Sequence, residues 1–255
     1  AKPGRPAERR PRRVYVTEVY FARHSGQAVS LGETEEELSN GVHLQAHGYG
    51  DALLAVLTRD AFHICPRCGY GVPDDRRTEP HKRKTPREHK APFDKLCRGQ
   101  LAKQPVNLGH EFFTDICSLK FQGLTCGAED RDDFWLSLMY ALVEGTAQAL
   151  QVSRGDLGAV LFFDDYSSPQ VILYDDVPGG AGHVWRIVHE EGALRALLKA
   201  AWARTGGACG CDHDKSCYGC LRNYANQRHH DRLRRGLAHD VLGAMLGRTP
   251  RRGSL

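Results

Sequence analysis

The stretch that decides the reading of this chain is Cys209-Gly210-Cys211-Asp212-His213-Asp214-Lys215-Ser216-Cys217-Tyr218-Gly219-Cys220. Four cysteines fall within these twelve residues, one pair spaced C-x-C and the other C-x-x-C. Zinc takes four ligands at tetrahedral corners, with thiolate sulfurs at ~2.3 Å. A C-x-x-C pair brings two sulfurs to one ion from a single tight turn. The N-terminal residues are rich in Arg and Pro and lack an apolar run, so they do not read as a signal peptide. In that setting clustered cysteines read as a metal site rather than as disulfides. The alternative is a set of ordinary thiols near a helix start, and their density argues against it. His213, between the two pairs, is the candidate to replace one sulfur.

Working outward, residues 61–71 (AFHICPRCGYG) hold a second cysteine pair, Cys65 and Cys68, in a C-P-x-C-G knuckle. Gly69 supplies the positive φ that such a turn needs. Two more ligands are required. Cys97 is the third, and the fourth is His81, His89 or a residue farther away. His89 is favoured, because His89-x7-Cys97 can close a second loop and Pro92 favours a turn within it. The plain alternative for each histidine is an exposed side chain in a basic loop. The expectation is two zinc ions per chain.

The 255 residues are 41% hydrophobic and 26% charged, which suits one large domain or two small ones. No apolar run of ~18 residues exists, so a membrane span is not expected. Nine cysteines without a secretory signal suggest a reducing compartment, and the expected location is cytoplasmic. The net charge of +4 says little about anionic partners, whereas the clustering of Lys and Arg says more. Residues 1–13 read as a flexible basic arm, or as a linker left where a longer protein was divided. Residues 14–105 read as a β-rich region holding the knuckle and a mobile basic loop at 74–90. Residues 106–247 read as a zinc-binding α/β domain, and 248–255 as a disordered tail.

Residues 14–23 (VYVTEVYFAR) and 41–47 read as strands, while 51–57 suits a short helix or a strand equally. Residues 108–121 (LGHEFFTDICSLKF) read as a strand, with Phe113, Cys117, Leu119 and Phe121 on one face and Cys117 as a buried small apolar residue. Asp130 is placed to cap a helix that runs to about Leu150, with Trp135, Leu138, Leu142 and Leu150 on its core stripe. Residues 159–164 and 171–174 read as a hairpin. Then come Asp175-Asp176-Val177-Pro178-Gly179-Gly180-Ala181-Gly182-His183 and a helical pattern from Trp185 to Trp202. A strand, a glycine-rich turn and a helix in this order can offer backbone N–H groups to an anion. The turn lacks the Lys and Ser/Thr of a Walker A loop and is not G-x-G-x-x-G. A tight turn packed for structural reasons is the alternative. The expected fold is α+β, a small mixed sheet packed with three main helices and carrying two zinc elements.

A last helix is expected from about Arg228 to Leu246. On it Arg228, Arg232, Arg235 and His239 fall on one face, with Leu233, Leu237, Val241 and Ala244 opposite. Asn223, Asn226 and Gln227 precede it. The candidate nucleic-acid or partner-binding residues are therefore Arg228, Arg232, Arg235, His239, Asn226, Gln227, Gly179, Gly180, His183 and Arg186. A solvated face is the alternative for the arginines.

Taken in order, LGHEFFTD (108–115), FWLSLMYAL (134–142), ILYDDVPGGAGH (172–183), C-x-C-x5-C-x2-C and LRNYANQRHHDRLRRG (221–236) resemble a helicase-associated zinc-binding domain, the MrfA-type. The resemblance covers roughly residues 108–246. That family occurs at the C-terminus of superfamily-2 DEAD/DEAH-type helicases, DNA-repair helicases among them, and in DrmB-like proteins of DISARM phage defence. It implies that Cys209, Cys211, Cys217 and Cys220 are zinc ligands and that DNA and a helicase motor are partners. It supplies no catalytic residue. The chain has no G-x-x-x-x-G-K-[ST] and no DEAH-like box, so an ATPase motor is not expected within it.

Two functional classes follow. The first is a non-catalytic zinc-stabilised module that binds DNA or docks a motor. The second is a metal-dependent nuclease in which Glu111, Asp115, Asp175 and Asp176, with His110 and His183 near them in sequence, gather around Mg²⁺. The plainer role for those acids is to cap turns and pair with arginines. A purely architectural partner-binding protein is a third possibility.

Overall fold

The computed structural model describes residues 17–21, 28–74, 89–91, 96–127, 130–163 and 169–248. The expected basic arm at 1–13, most of the basic loop at 74–90 and the tail beyond Arg248 lie outside these residues. In chain order the strands are β1 (Thr17–Phe21), β2 (Val29–Glu37), β3 (His43–Ile64), β4 (Gly71–Pro73), β5 (His89–Lys90), β6 (Leu96–Cys97), β7 (Val106–Gln122), β8 (Leu157–Phe162) and β9 (Gln170–Asp175). The helices are α1 (Arg131–Leu150), α2 (Arg186–His189), α3 (Ala193–Thr205) and α4 (Arg235–Met245). The fold is α+β, with three main helices: α1, α3 and α4. The chain forms two units, one of residues 1–20 and 55–111, the other of residues 21–54 and 112–255.

In the larger unit β2 and β3 form an antiparallel hairpin that sets Glu37 opposite His43, Glu35 opposite Gln45 and Glu33 opposite His47. Successive strand side chains point to opposite faces, so Leu44, Ala46, Ala52 and Leu54 turn inward while these polar partners turn out. The segment that suited helix or strand belongs to β3, which runs unbroken for 22 residues. Asp51 lies within it at φ 53°, a left-handed conformation that Asp tolerates better than most residues, and the alternation of buried and outward positions continues across it. β7 pairs antiparallel with β9, and β9 with β8. Cys117, Leu119 and Phe121 of β7 are buried as their parity requires, but Phe113 is 40% exposed.

Helix α1 starts and ends where its stripe requires. It is buried on most sides because it packs against β8, α3 and α4. Asp130 holds the N-cap position, yet its side chain makes no capping bond and accepts from Arg234 Nη1 at 2.8 Å instead. The core joins Leu119, Phe121 and Leu173 of the sheet to Trp135, Leu138 and Leu142 of α1, Leu197 and Leu198 of α3, and Leu242 of α4. Cys220 and Leu221 reach into the same core, so the four-cysteine turn is anchored from below.

Two helices depart from their sequence patterns. The run from Trp185 to Trp202 divides into α2 and α3, because Glu190 is extended and Gly192 adopts φ 73° between them. The last helix begins at Arg235 rather than Arg228. Residues 227–229 are only a 3-10 turn. The first N–H groups of α4 go to the four-cysteine loop: Arg235 N–H donates to Lys215 O and Gly236 N–H to His213 O, both at 2.9 Å. These carbonyls cap the helix, and its start is set by tertiary contact rather than by local propensity.

In the smaller unit the end of β3 pairs with β4, Ile64 opposite Gly71, around the knuckle turn. Cys65 N–H donates to Tyr70 O and Gly69 N–H to Cys65 O, both at 2.8 Å, with Gly69 at φ 75°. β5 and β6 place His89 directly opposite Cys97.

Candidate metal centres and the glycine-rich turn

Both cysteine-rich elements close into four-ligand clusters. Cys65, Cys68, His89 and Cys97 form one, and Cys209, Cys211, Cys217 and Cys220 the other. Within each, the ligand atoms lie within 4.8 Å of one another. A tetrahedron of thiolates around zinc has S···S edges of about 3.8 Å. The observed Sγ–Sγ separations are 3.4 Å for Cys209–Cys211, 3.7 Å for Cys211–Cys220, 3.9 Å for Cys217–Cys220 and 4.0 Å for Cys65–Cys97. A disulfide needs ~2.05 Å, and all nine cysteines are free. The donor sets and spacings fit zinc at both places.

The fourth position near Cys65 is filled by His89, whose Nε2 lies 3.0 Å from Cys68 Sγ. Its ring stacks on Tyr70 at 4.6 Å. Nδ1 of His89 is buried without a hydrogen-bond partner among the described residues, so Nε2 is the nitrogen that faces the sulfurs. Gly99 closes the cluster. Its N–H donates to Cys97 Sγ at 3.3 Å, and a Cβ at this position would sit 2.7 Å from Cys65 Sγ.

The 209–220 cluster is held by its own backbone and by α4. Cys217 N–H donates to Cys220 Sγ at 3.1 Å, and Cys217 O accepts the N–H groups of Cys220, Leu221 and Arg222. In the metal-free chain the Cys211 backbone N–H holds the Cys209 thiol down at about 7, while burial pushes Cys220 up to about 12. Metal binding must therefore expel at least the Cys220 proton. His213 is not a ligand. Its ring packs over Gly236, and its Nε2 pairs with Asp240 at 3.0 Å.

The glycine-rich turn after β9 spends its N–H groups internally. Asp175 is fully buried. Its Oδ2 accepts from Ala181 N–H at 2.8 Å and His183 N–H at 3.0 Å, and its Oδ1 from Val184 N–H at 3.1 Å. Asp115 Oδ2 accepts from Gly182 N–H at 3.1 Å. Gly179 and Gly180 donate to Phe113 O and Val177 O. Every N–H from 179 to 184 thus has an acceptor within the fold. Gly180 lies so close to Asp115 that a Cβ would fall 2.3 Å from its Oδ2. Arg186 grips Glu190 and donates to Leu150 O at 3.0 Å, tying α2 to the end of α1.

Of the acidic residues of the nuclease alternative, Asp115 and Asp175 meet at the glycine-rich turn, where both accept its N–H groups. Among the described residues the two cysteine-rich groups are the ones that gather three or more metal-ligating side chains, and Asp115, Asp175 and Asp176 do not form a third. Asp175, adjacent to the glycines in sequence, is a turn cap. That much was visible as an acid directly before a run of N–H groups needing acceptors.

The expected arginine stripe is dispersed. Arg232 pairs with Asp133 at 2.8 Å and lies 3.5 Å from Asp132. Arg235 donates to Cys211 O and Thr205 O, both at 3.0 Å, and so braces the four-cysteine loop. His239 stacks on Trp202 at 5.3 Å. Asn226 is fully buried, with Nδ2 donating to Leu221 O at 2.8 Å. Gln227 and Arg228 are exposed. The bracing role of Arg235 had no signal in the sequence, since nothing local marks which arginine reaches back across 24 residues.

Residues 138–221 match the family model of the MrfA Zn-binding domain. The chain is 28% identical over 221 residues to Druantia protein DruE of Escherichia coli (strain UMEA 4076-1), an alignment covering 74% of this chain and 11% of DruE. Two solved structures of the DUF1998 helicase MrfA are also similar. The DNA-bound form has a TM-score of 0.48 at 16% identity over 91% of this chain and 26% of that chain. The form bound to DNA and AMPPNP has 0.36 at 13%, over 89% and 22%. The chain thus spans about a tenth of the curated relative's length. No helix among the described residues is long and apolar enough to cross a membrane. Residues 138–221 are thus similar to the MrfA Zn-binding domain, in a stretch that takes in the cysteine cluster through Cys220, and a second cluster suited to zinc lies at Cys65–Cys97.

Proposed function

We propose that this chain is a non-catalytic, zinc-stabilised module of a DNA-processing helicase system, one that binds DNA and docks the helicase motor. The observation that carries the reading is the match of residues 138–221 to the MrfA Zn-binding domain, ending on a four-cysteine cluster built into the core. MrfA is described as a DUF1998 helicase and has been crystallised with DNA. DNA repair and phage defence are the settings that the family resemblance offers. Zinc, when bound, supplies a cross-link between chain segments, since four protein ligands leave no open position for activating water.

Residues 222–235 carry Arg222, Arg228, Arg232, Arg234 and Arg235 against one acid, Asp231. Arg235 donates to Cys211 O of the cluster, and Arg222 to Ser216 Oγ and His230 O. The phosphate contact is assigned to Arg228 and Arg232, whose side chains are exposed. The test is DNA affinity across a salt series for the zinc-loaded chain and for Arg228→Ala/Arg232→Ala. Affinity for duplex should fall with salt at a log–log slope of about 0.9 per phosphate neutralised, and the variant should bind more weakly with a flatter slope. Absence of salt-dependent binding to both single-stranded and duplex DNA would refute the reading.

A further inference from the structure

We infer that Tyr218 and Tyr224 form a stacking surface for unpaired nucleotides beside the four-cysteine cluster. The inference rests on the DNA-binding reading above and names the form of DNA that this part of the chain takes.

The two tyrosines are the most exposed of the large hydrophobic side chains among the described residues, Tyr224 at 84% and Tyr218 at 61%. Tyr140 and Tyr174, by contrast, are held within the fold by burial. Rings left this open contribute little to packing. The backbone beneath them, however, is closely fixed. Tyr218 sits inside the C-x-x-C turn, whose Cys217 carbonyl accepts three successive N–H groups. Tyr224 lies in a loop locked by a reciprocal pair: Asn223 N–H donates to Asn226 Oδ1 at 2.8 Å and Asn226 N–H to Asn223 Oδ1 at 3.0 Å. The buried amide of Asn226 ties that loop to Leu221.

One imidazole joins the two supports. His230 Nε2 lies 3.1 Å from Asn223 O and 3.0 Å from Asn226 Oδ1. Two oxygen acceptors require that this nitrogen carry the proton. The same ring meets Tyr218 edge to face, at 5.4 Å and 89°. The loop that carries Tyr224 and the ring of Tyr218 are therefore braced by a single side chain. Exposed rings on a rigid support lose little entropy on contact, which is what a stacking platform requires. Bases in a duplex present their edges and bury their faces, whereas unpaired bases offer a face to an aromatic ring. Arg228, exposed in the same stretch, brings positive charge for the phosphates, whereas Lys215 is paired with Asp212 at 2.8 Å.

The experiment uses the full zinc-loaded chain and fluorescence anisotropy with labelled oligothymidine of about 16 nucleotides, the upper end of single-strand site sizes, and a duplex of equal length. Tyr218→Ala and Tyr224→Ala should each weaken single-strand binding roughly tenfold and leave duplex binding within about twofold. Tyr224→Phe should bind as the parent does, because the ring is kept. Zinc content should hold in every variant and the melting temperature should shift little, since Tyr224 is open to solvent and Tyr218 gives up an edge-to-face contact with His230. Single-strand affinity unchanged in both alanine variants would overturn the inference. So would an equal loss on duplex, or a loss in Tyr224→Phe as large as in Tyr224→Ala. If the parent binds DNA while these variants behave like it, the stacking surface falls and the DNA-binding reading stands. If the parent binds neither probe, both fall.

Discussion

Asp175→Asn tests whether the glycine-rich turn is held by a buried carboxylate. Oδ2 of Asp175 takes two N–H groups and Oδ1 takes one, at 2.8–3.1 Å, in a fully buried setting. Hydrogen bonds to a charged acceptor contribute about 1.5–3 kcal/mol each, and a buried donor left without a partner costs about 1–3 kcal/mol. Asparagine keeps one acceptor oxygen. In its better orientation that oxygen retains Ala181 and His183, and the NH₂ group is forced against the Val184 N–H. One bond is lost and two donors oppose each other, so the expected destabilisation is about 2–4 kcal/mol. Asp175→Ala strands all three donors and should lose about 4 kcal/mol or more. For a unit of this size, 2–4 kcal/mol corresponds to a fall in melting temperature of about 4–16 °C. The assay is urea denaturation of the zinc-loaded protein at neutral pH, followed by tryptophan fluorescence, with metal content checked on the same samples. If Asp175→Asn unfolds within ~0.5 kcal/mol of the parent, as an ordinary surface change does, the turn is not held in this way.

Metal analysis should give two zinc equivalents per chain, one per cluster. Cys65→Ser or Cys220→Ser should each reduce this to about one, while Cys117→Ser, a buried thiol outside both clusters, should keep two; a joint loss of both metals from one substitution would contradict independent sites. Gly99→Ala should lower zinc occupancy at the Cys65 cluster alone, because the added methyl meets Cys65 Sγ, and unchanged occupancy there would show that the loop yields. Burial raises the Asp115 carboxyl above its usual range, with the Gly182 N–H pulling the other way. A raised folded value means that the native state binds more protons than the unfolded chain between the ordinary ~3.9 and that value, so stability falls as pH rises through the interval. Asp115→Asn should therefore gain on the parent across that interval and level off above it; a carboxyl midpoint at or below ~3.9 by NMR titration would contradict the sign.

Elements with an internal period were legible in the sequence. The alternation of β7 and the stripe of α1 report burial directly, and the structure keeps both near their expected bounds. The two zinc clusters were legible because thiolate chemistry constrains residue type and local spacing together. His89 emerged over its neighbours because loop closure toward Cys97 favours it, and the β5–β6 pair achieves that closure. What escaped was set by contacts distant in sequence. The start of α4 depends on carbonyls of His213 and Lys215, some twenty residues earlier. Arg232 turns toward Asp133, and Arg235 toward Cys211, for reasons no helical wheel contains. The free-looking amides of the glycine-rich turn had acceptors in Asp175 and Asp115, one adjacent and one 67 residues away.

The seating of α4 on the four-cysteine loop bears on how fast the metal can leave. The first two N–H groups of the helix are bonded to loop carbonyls, the guanidinium of Arg235 spans Cys211 O and Thr205 O, and Arg234 N–H is donated to Ser137 Oγ of α1. A chelator reaching the sulfurs from this side must wait for that end of the helix to lift. Local openings of this kind have free energies between zero and that of global unfolding. The end of α4 thus steadies the loop around Cys211 although the helix supplies no ligand, and loosening it in Arg235→Ala is expected to quicken metal exchange at Cys209–Cys220, read as the rate of zinc loss to a chelator.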